Sequence, residues 1–172
     1  IQTLWAGPWM IRVAGYTPLE SAQGLFIIYL SMLISFFCWG YFVPKFSKNI
    51  NDAIRWLKFG APIHLIVLTI IIYLGPKAGS IHWAIFIVSS IFLSLAHPAV
   101  GMAFSLSNAG KALTSFNLLL FIGAFFMQWV MGLIIDAGMS FNLSEINSFK
   151  LAMIFVFITS LFSYFFFIKK VK

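Results

Sequence analysis

Five apolar blocks, separated by short polar breaks, set the pattern of this chain. They cover 21–43, 56–74, 81–104, 112–135 and 149–168. A helix needs about 20 mostly apolar residues to cross roughly 30 Å of hydrocarbon, so each block is long enough for one crossing. The predicted fold class is all-α: a polytopic transmembrane helical bundle with five full spans. Residues 1–14 carry Leu4, Trp5, Trp9, Met10, Ile11 and Val13 but are interrupted by Gly7-Pro8. They are too short to span alone and read as the last turns of a sixth helix.

The breaks have their own chemistry. Thr17-Pro18-Leu19-Glu20 predicts a helix start, with threonine as cap, proline at the first helical position and Glu20 reaching back. Pro44 is expected to stop the first span. A polar stretch with Lys45, Lys48, Asn49, Asn51, Asp52 and Arg55 follows. Gly75-Pro76-Lys77-Ala78-Gly79 is a turn by composition. Ser105, Ser107, Asn108, Gly110 and Lys111 mark the next loop, and a loop after Asp136 runs through Glu145 to Asn147. The tail is Lys169-Lys170-Val171-Lys172.

Composition strengthens the membrane reading. The 172 residues are 62% hydrophobic and 9% charged, against about 45–50% and about 25% in soluble domains. The net charge of +7 does not point to nucleic acid, because the basic residues sit at the ends of the apolar blocks. That placement is a topology signal. With the tail inside, the inner side holds Lys45, Lys48, Arg55, Lys58, Lys111, Lys169, Lys170 and Lys172, and the outer side Arg12, Lys77 and Lys150. The expected location is the cell (inner) membrane, multi-pass, with a cytoplasmic carboxyl terminus. Cys38 is the only cysteine, so there is no disulfide framework. The chain begins at Ile1 without a signal-peptide pattern, and a longer native polypeptide is expected.

Two runs carry a family resemblance. Leu4-Trp5-Ala6-Gly7-Pro8-Trp9 resembles the end of the seventh helix in bacterial major facilitator superfamily transporters. Asn108-Ala109-Gly110-Lys111-Ala112, then Asn117, Phe121, Gly123-Ala124-Phe125, Gln128-Trp129, Gly132 and Asp136, resembles the loop into the eleventh helix and that helix itself. Lys111 stands where an arginine is more usual. The loop between helices eight and nine departs from the family pattern. Gly40 is followed by Pro44, Lys45, Ser47 and Lys48, without the acid and with Ser47 at the second glycine. The resemblance implies that 1–172 is the carboxyl-terminal six-helix half of a twelve-helix transporter. Its first helix would be the 1–14 remnant, and the missing amino-terminal half of the same protein would be its partner. In such transporters two halves rock around a site near the midplane.

Polar groups inside a bilayer are costly and need a reason. Ser90, Ser94, His97 and Gly101 fall at i, i+4, i+7 and i+11, one face of a continuous α-helix. Pro98 lacks an amide hydrogen, which frees the Ser94 carbonyl. Together these groups are candidates to line a cavity, and His97 could carry a coupling proton. The alternative is that the serines bond back to their own helix and the face simply packs. On the fourth span Asn117 and Gln128 share a face, and both amides want partners from a cavity or a neighbouring helix. Gln128 is a candidate for substrate or gate contact, and Asn117, nearer the cytoplasmic end, is a candidate for the path or for satisfying a loop. Trp5 and Trp9 either line the path or anchor at the interface. His64, after Pro62 near the start of the second span, reads as an interfacial or helix-contact residue.

No catalytic set is visible. The four acids lie at loops or ends, and the three histidines and one cysteine lack metal-ligand spacing. No phosphate loop is present. Neither an enzyme nor a cofactor is expected. The expected function is secondary transport of a small-molecule substrate by alternating access, this chain supplying one wall. The alternative is a small standalone membrane protein acting as a scaffold or subunit of a membrane complex.

Overall fold

The computed structural model describes residues 2–171; Ile1 and Lys172, from the expected stub and tail, lie outside the described residues. Seven α-helices follow one another, with no strand among the described residues. They are α1 (Gln2–Arg12), α2 (Pro18–Phe46), α3 (Ile50–Leu74), α4 (Ser80–Ser89), α5 (Ala96–Ala103), α6 (Leu106–Ser140) and α7 (Glu145–Lys170). A short 3-10 turn (Gly75–Lys77) leaves α3, and a longer one (Ser90–Leu95) joins α4 to α5. Taking α4, this second turn and α5 as one unit, five helical segments are long and apolar enough to cross a membrane. The chain is therefore read as a multi-pass membrane protein.

Capping explains where the helices begin. The Thr17 hydroxyl accepts from the Glu20 amide, and the Glu20 carboxylate accepts from the Thr17 amide at 2.8 Å, a complete capping box. Asn49 accepts from the Asp52 amide, and Ser144 from the Asn147 amide. These caps pull the polar first turns at 50–55 and 145–148 into the helices. Hydropathy alone places those turns in loops.

Pro44 does not stop α2, which runs on to Phe46. Nor does Gly7-Pro8 break α1. A proline removes one amide and crowds the carbonyl four residues earlier, but neighbouring helices and side chains can compensate in a membrane. Around Pro8 the Ser21 hydroxyl donates to the Gly7 carbonyl at 3.3 Å.

The third span carries the largest departure from a regular helix. Ser90–Leu95 winds as 3-10, ending just before the turn that holds Pro98. Pro98 cannot donate to the Ser94 carbonyl, and tightening to i→i+3 bonds relieves the crowding there. At this segment Phe92 approaches Gly60 so closely that a Cβ on Gly60 would overlap the Phe92 ring and Cβ.

Packing is concentrated at one end. Trp9 and Trp83 meet edge to face at 6.0 Å, and Phe149 meets Trp9 in the same way at 6.5 Å. The Trp9 indole donates to the Ala78 carbonyl at 3.0 Å. Met10, Ile28, Leu68, Ile71, Ile87, Met131 and Met153 close around them. Arg12 pairs with Glu145 at 2.8 Å across the exposed rim. At the opposite end only Ala53, Leu57 and Leu95 form a buried cluster.

Candidate functional site

Two polar regions flank the 3-10 segment. The first is a groove of about 650 Å3 between α2 and the third span. Ser90, Ser94, His97 and Pro98 form one wall, with Phe36, Trp39, Gly40 and Pro44 opposite and Leu120 of α6 alongside. The three polar candidates of this span thus share a groove. The α-helical spacing used to group them does not hold, because the chain between Ser90 and Leu95 turns once every three residues.

The serine hydroxyls are committed locally. Ser90 donates to the Ile87 carbonyl at 2.6 Å and Ser94 to the Ile91 carbonyl at 2.7 Å. Their oxygens keep lone pairs for an incoming donor. His97 is exposed, and its Nε2 lies 2.9 Å from the Asn117 Oδ1 of α6. The Asn117 oxygen can only accept, so Nε2 donates and Nδ1 holds the free lone pair of the neutral ring. The Asn117 amide group still has donors to offer. Phe116 braces the imidazole edge to face at 5.1 Å. The groove therefore offers an imidazole acceptor and two hydroxyl oxygens, with no carboxylate among its lining residues. The Trp39 indole N–H, from the opposite wall, is buried without a partner.

The other candidates fall elsewhere. Gln128 is half-buried on α6 and makes no side-chain hydrogen bond among the described residues; it is not among the groove's lining residues. Trp9 is fully enclosed in the packed end. Trp5 packs edge to face on Phe149 at 6.1 Å and lies over Gly132, with its indole nitrogen buried and unpaired. Gly101 faces Leu113 of α6.

The second region is a cavity of about 440 Å3 on the other side of the 3-10 segment, bounded by α3, α6 and α7. His64 lines it, together with Thr159, Ser160, Ser163 and Tyr164 of α7. Ser89 donates to the Phe86 carbonyl at 2.7 Å, which uses its one hydrogen. The His64 Nδ1, 3.0 Å from that same oxygen, must then carry the proton and donate. The ring stacks on Phe86 with centroids 4.1 Å apart. Tyr164 donates at 3.0 Å to the Lys58 carbonyl, the one that Pro62 leaves without a helical partner. Lys58 in turn donates to the Val171 carbonyl at 2.7 Å, closing the same corner.

His64 was expected at the interface or at a helix contact, and it makes the helix contact; the α7 hydroxyls were not among the expected site residues. One signal was present: Ser160, Ser163 and Tyr164 stand at i, i+3 and i+4, one helix face. The freed Lys58 carbonyl was a second. The link from His64 to Ser89 depends on how α3 meets α4, and no local pattern carries it.

Comparison with known protein families, with curated proteins and with solved structures finds no match.

Proposed function

We propose that this chain is the carboxyl-terminal half of a secondary transporter of the major facilitator type, moving a small solute by alternating access. The observation that carries the proposal is the third span. Its backbone leaves the α-helical pattern within the apolar stretch, beside an exposed histidine–asparagine pair. In a bilayer, irregular backbone and polar side chains persist where protein covers them or water reaches them. Broken helices of this kind line the central sites of many transporters. An amino-terminal half would supply the missing wall of the groove, opposite α2, α5 and α6.

His97 and Asn117 would then contact the solute or a coupling proton, with Ser90 and Ser94 as acceptors beside them. Gln128 is retained as a gate contact. Trp5 and Trp9 become struts of the closed end, which the other half would rock against. The charge bias of the loops supports an inner-membrane protein with its carboxyl terminus in the cytoplasm.

The polypeptide's length tests this. A tag on the carboxyl end at the native locus, read on a denaturing immunoblot, should give a band near twice the 19.4 kDa of this chain. A band near 19.4 kDa would contradict a half-transporter and favour a scaffold or subunit instead. In the full protein, His97→Ala should lower uptake while leaving membrane insertion intact.

A further inference from the structure

The cavity around His64 is not the groove around His97. Leu93 lines both, so the 3-10 segment is the wall between them. At about 440 Å3 the cavity lies within the usual range for small-molecule sites, about 300–1,000 Å3. It is also held open by specific bonds. Tyr164 and Lys58 tie α7 to α3 at one corner, and Ser89 holds the His64 ring upright against Phe86.

Its polar groups have one character. Because His64 donates through Nδ1, its Nε2 is an acceptor with no partner among the described residues. Thr159 and Ser163 spend their hydrogens on the Phe155 or Val156 and Thr159 carbonyls, and Tyr164 spends its own on Lys58. All three oxygens can therefore only accept further. Ser160 alone keeps an uncommitted hydroxyl. No Lys, Arg, Asp or Glu lines the cavity, so a charged ligand would sit unpaired in apolar surroundings. The remaining lining is aliphatic or aromatic, including Met127 of α6.

We infer that this cavity binds a neutral, mostly apolar alcohol or phenol, whose hydroxyl donates to His64 Nε2 and can accept from Ser160. The inference does not rest on the transport reading, since the site would exist in a scaffold as well. Such a ligand could be a membrane lipid or a water-borne solute, and the two sources share this chemistry.

The test uses the purified full chain in liposomes, with two photoreactive diazirine probes. One is a long-chain alcohol loaded with the lipid; the other is a short phenol added from the water. Peptide mass spectrometry should find attachment on the cavity-facing residues of α3 and α7. The probe that attaches identifies the source, and attachment by neither overturns the proposal. The unlabelled alcohol should compete about five-fold better than its methyl ether, roughly the worth of one hydrogen bond. His64→Phe, which keeps a stacking ring, should erase that preference, and His64→Gln, which keeps an acceptor, should retain it. Equal competition by the ether on the unaltered protein would overturn the proposal, as would attachment spread over the exposed faces of α2 and α6. Should His64→Phe fail to insert, Met127→Trp fills the cavity from α6. Attachment that survives that change also overturns it.

Discussion

The two ends of this bundle are built differently. At one end α1, α4 and the facing ends of α3, α6 and α7 close around Trp9, Trp83 and Phe149. At the other, the third span leaves the α-helical pattern, the buried cluster shrinks to Ala53, Leu57 and Leu95, and the polar residues gather beside a groove and a cavity. Lipid tails are as apolar as leucine, so close packing and hydrogen bonds must hold helices together. The tight end has both. The loose end keeps its hydrogen bonds but gives up part of the packing, which leaves the groove and the cavity between its helices. A membrane protein that must be stable and must also open can divide the two tasks between its ends in this way.

Replacing an anchor of the tight end should have the largest effect. Trp9→Ala removes a fully enclosed ring and its bond to Ala78. It should cost about 3–5 kcal/mol in a reversible detergent-unfolding titration.

Next comes crowding at the same end. A Cβ on Gly138 would stand 2.7 Å from the Ser148 Oγ and 3.3 Å from the Ser148 Cα, so Gly138→Ala should cost about 1–3 kcal/mol in that titration. The contrast lies at Gly40 and Gly123, where an added Cβ meets nothing within 4 Å. Alanine at either should be neutral or stabilising by up to about 1 kcal/mol. Equal losses at all three glycines would contradict the close approach of Ser148 to Gly138 as the source of the effect.

Tyr164→Phe probes the loose end directly. It leaves the Lys58 carbonyl unpaired beside Pro62 and should cost about 1 kcal/mol. Faster hydrogen exchange at the end of α7 should accompany the loss. The smallest effect belongs to Arg12→Ala. Its pair with Glu145 is solvent-exposed, so the change should fall between about 0 and 1 kcal/mol and shrink further in high salt.

The sequence was most informative where the physics is local. Apolar blocks long enough to cross a bilayer stood out by length alone, and Thr17-Pro18-Leu19-Glu20 announced its capping box. The edges were blurred where side chains cap backbone amides. Asn49 and Ser144 draw polar residues into α3 and α7, and hydropathy leaves such residues outside. Pro98 was seen to free a carbonyl, but not to turn Ser90–Leu95 into a 3-10 segment, because helices packed against the span stabilise that winding. The grouping of Ser90, Ser94 and His97 was legible, though the reason lies in the groove and not in an α-helical face. Asn117 was legible as an amide in need of a partner from a loop, a cavity or a neighbouring helix, but its partner His97, twenty positions away, was not. Trp9 read as a residue lining the path or anchoring at the interface, whereas it is enclosed in the packed end, with its indole bonded to the Ala78 carbonyl.

On the transporter reading, water and not lipid meets the groove beside the broken span. Cysteine reactivity decides it most directly. In a Cys38→Ser background of the full-length protein, His97→Cys should react in intact membranes with a charged, membrane-impermeant maleimide added from one side. Phe125→Cys, on an exposed apolar face of α6, should stay unlabelled. If position 97 proves as unreactive as position 125 from both sides, the groove is closed or lipid-filled, and the account of it as a solute path fails.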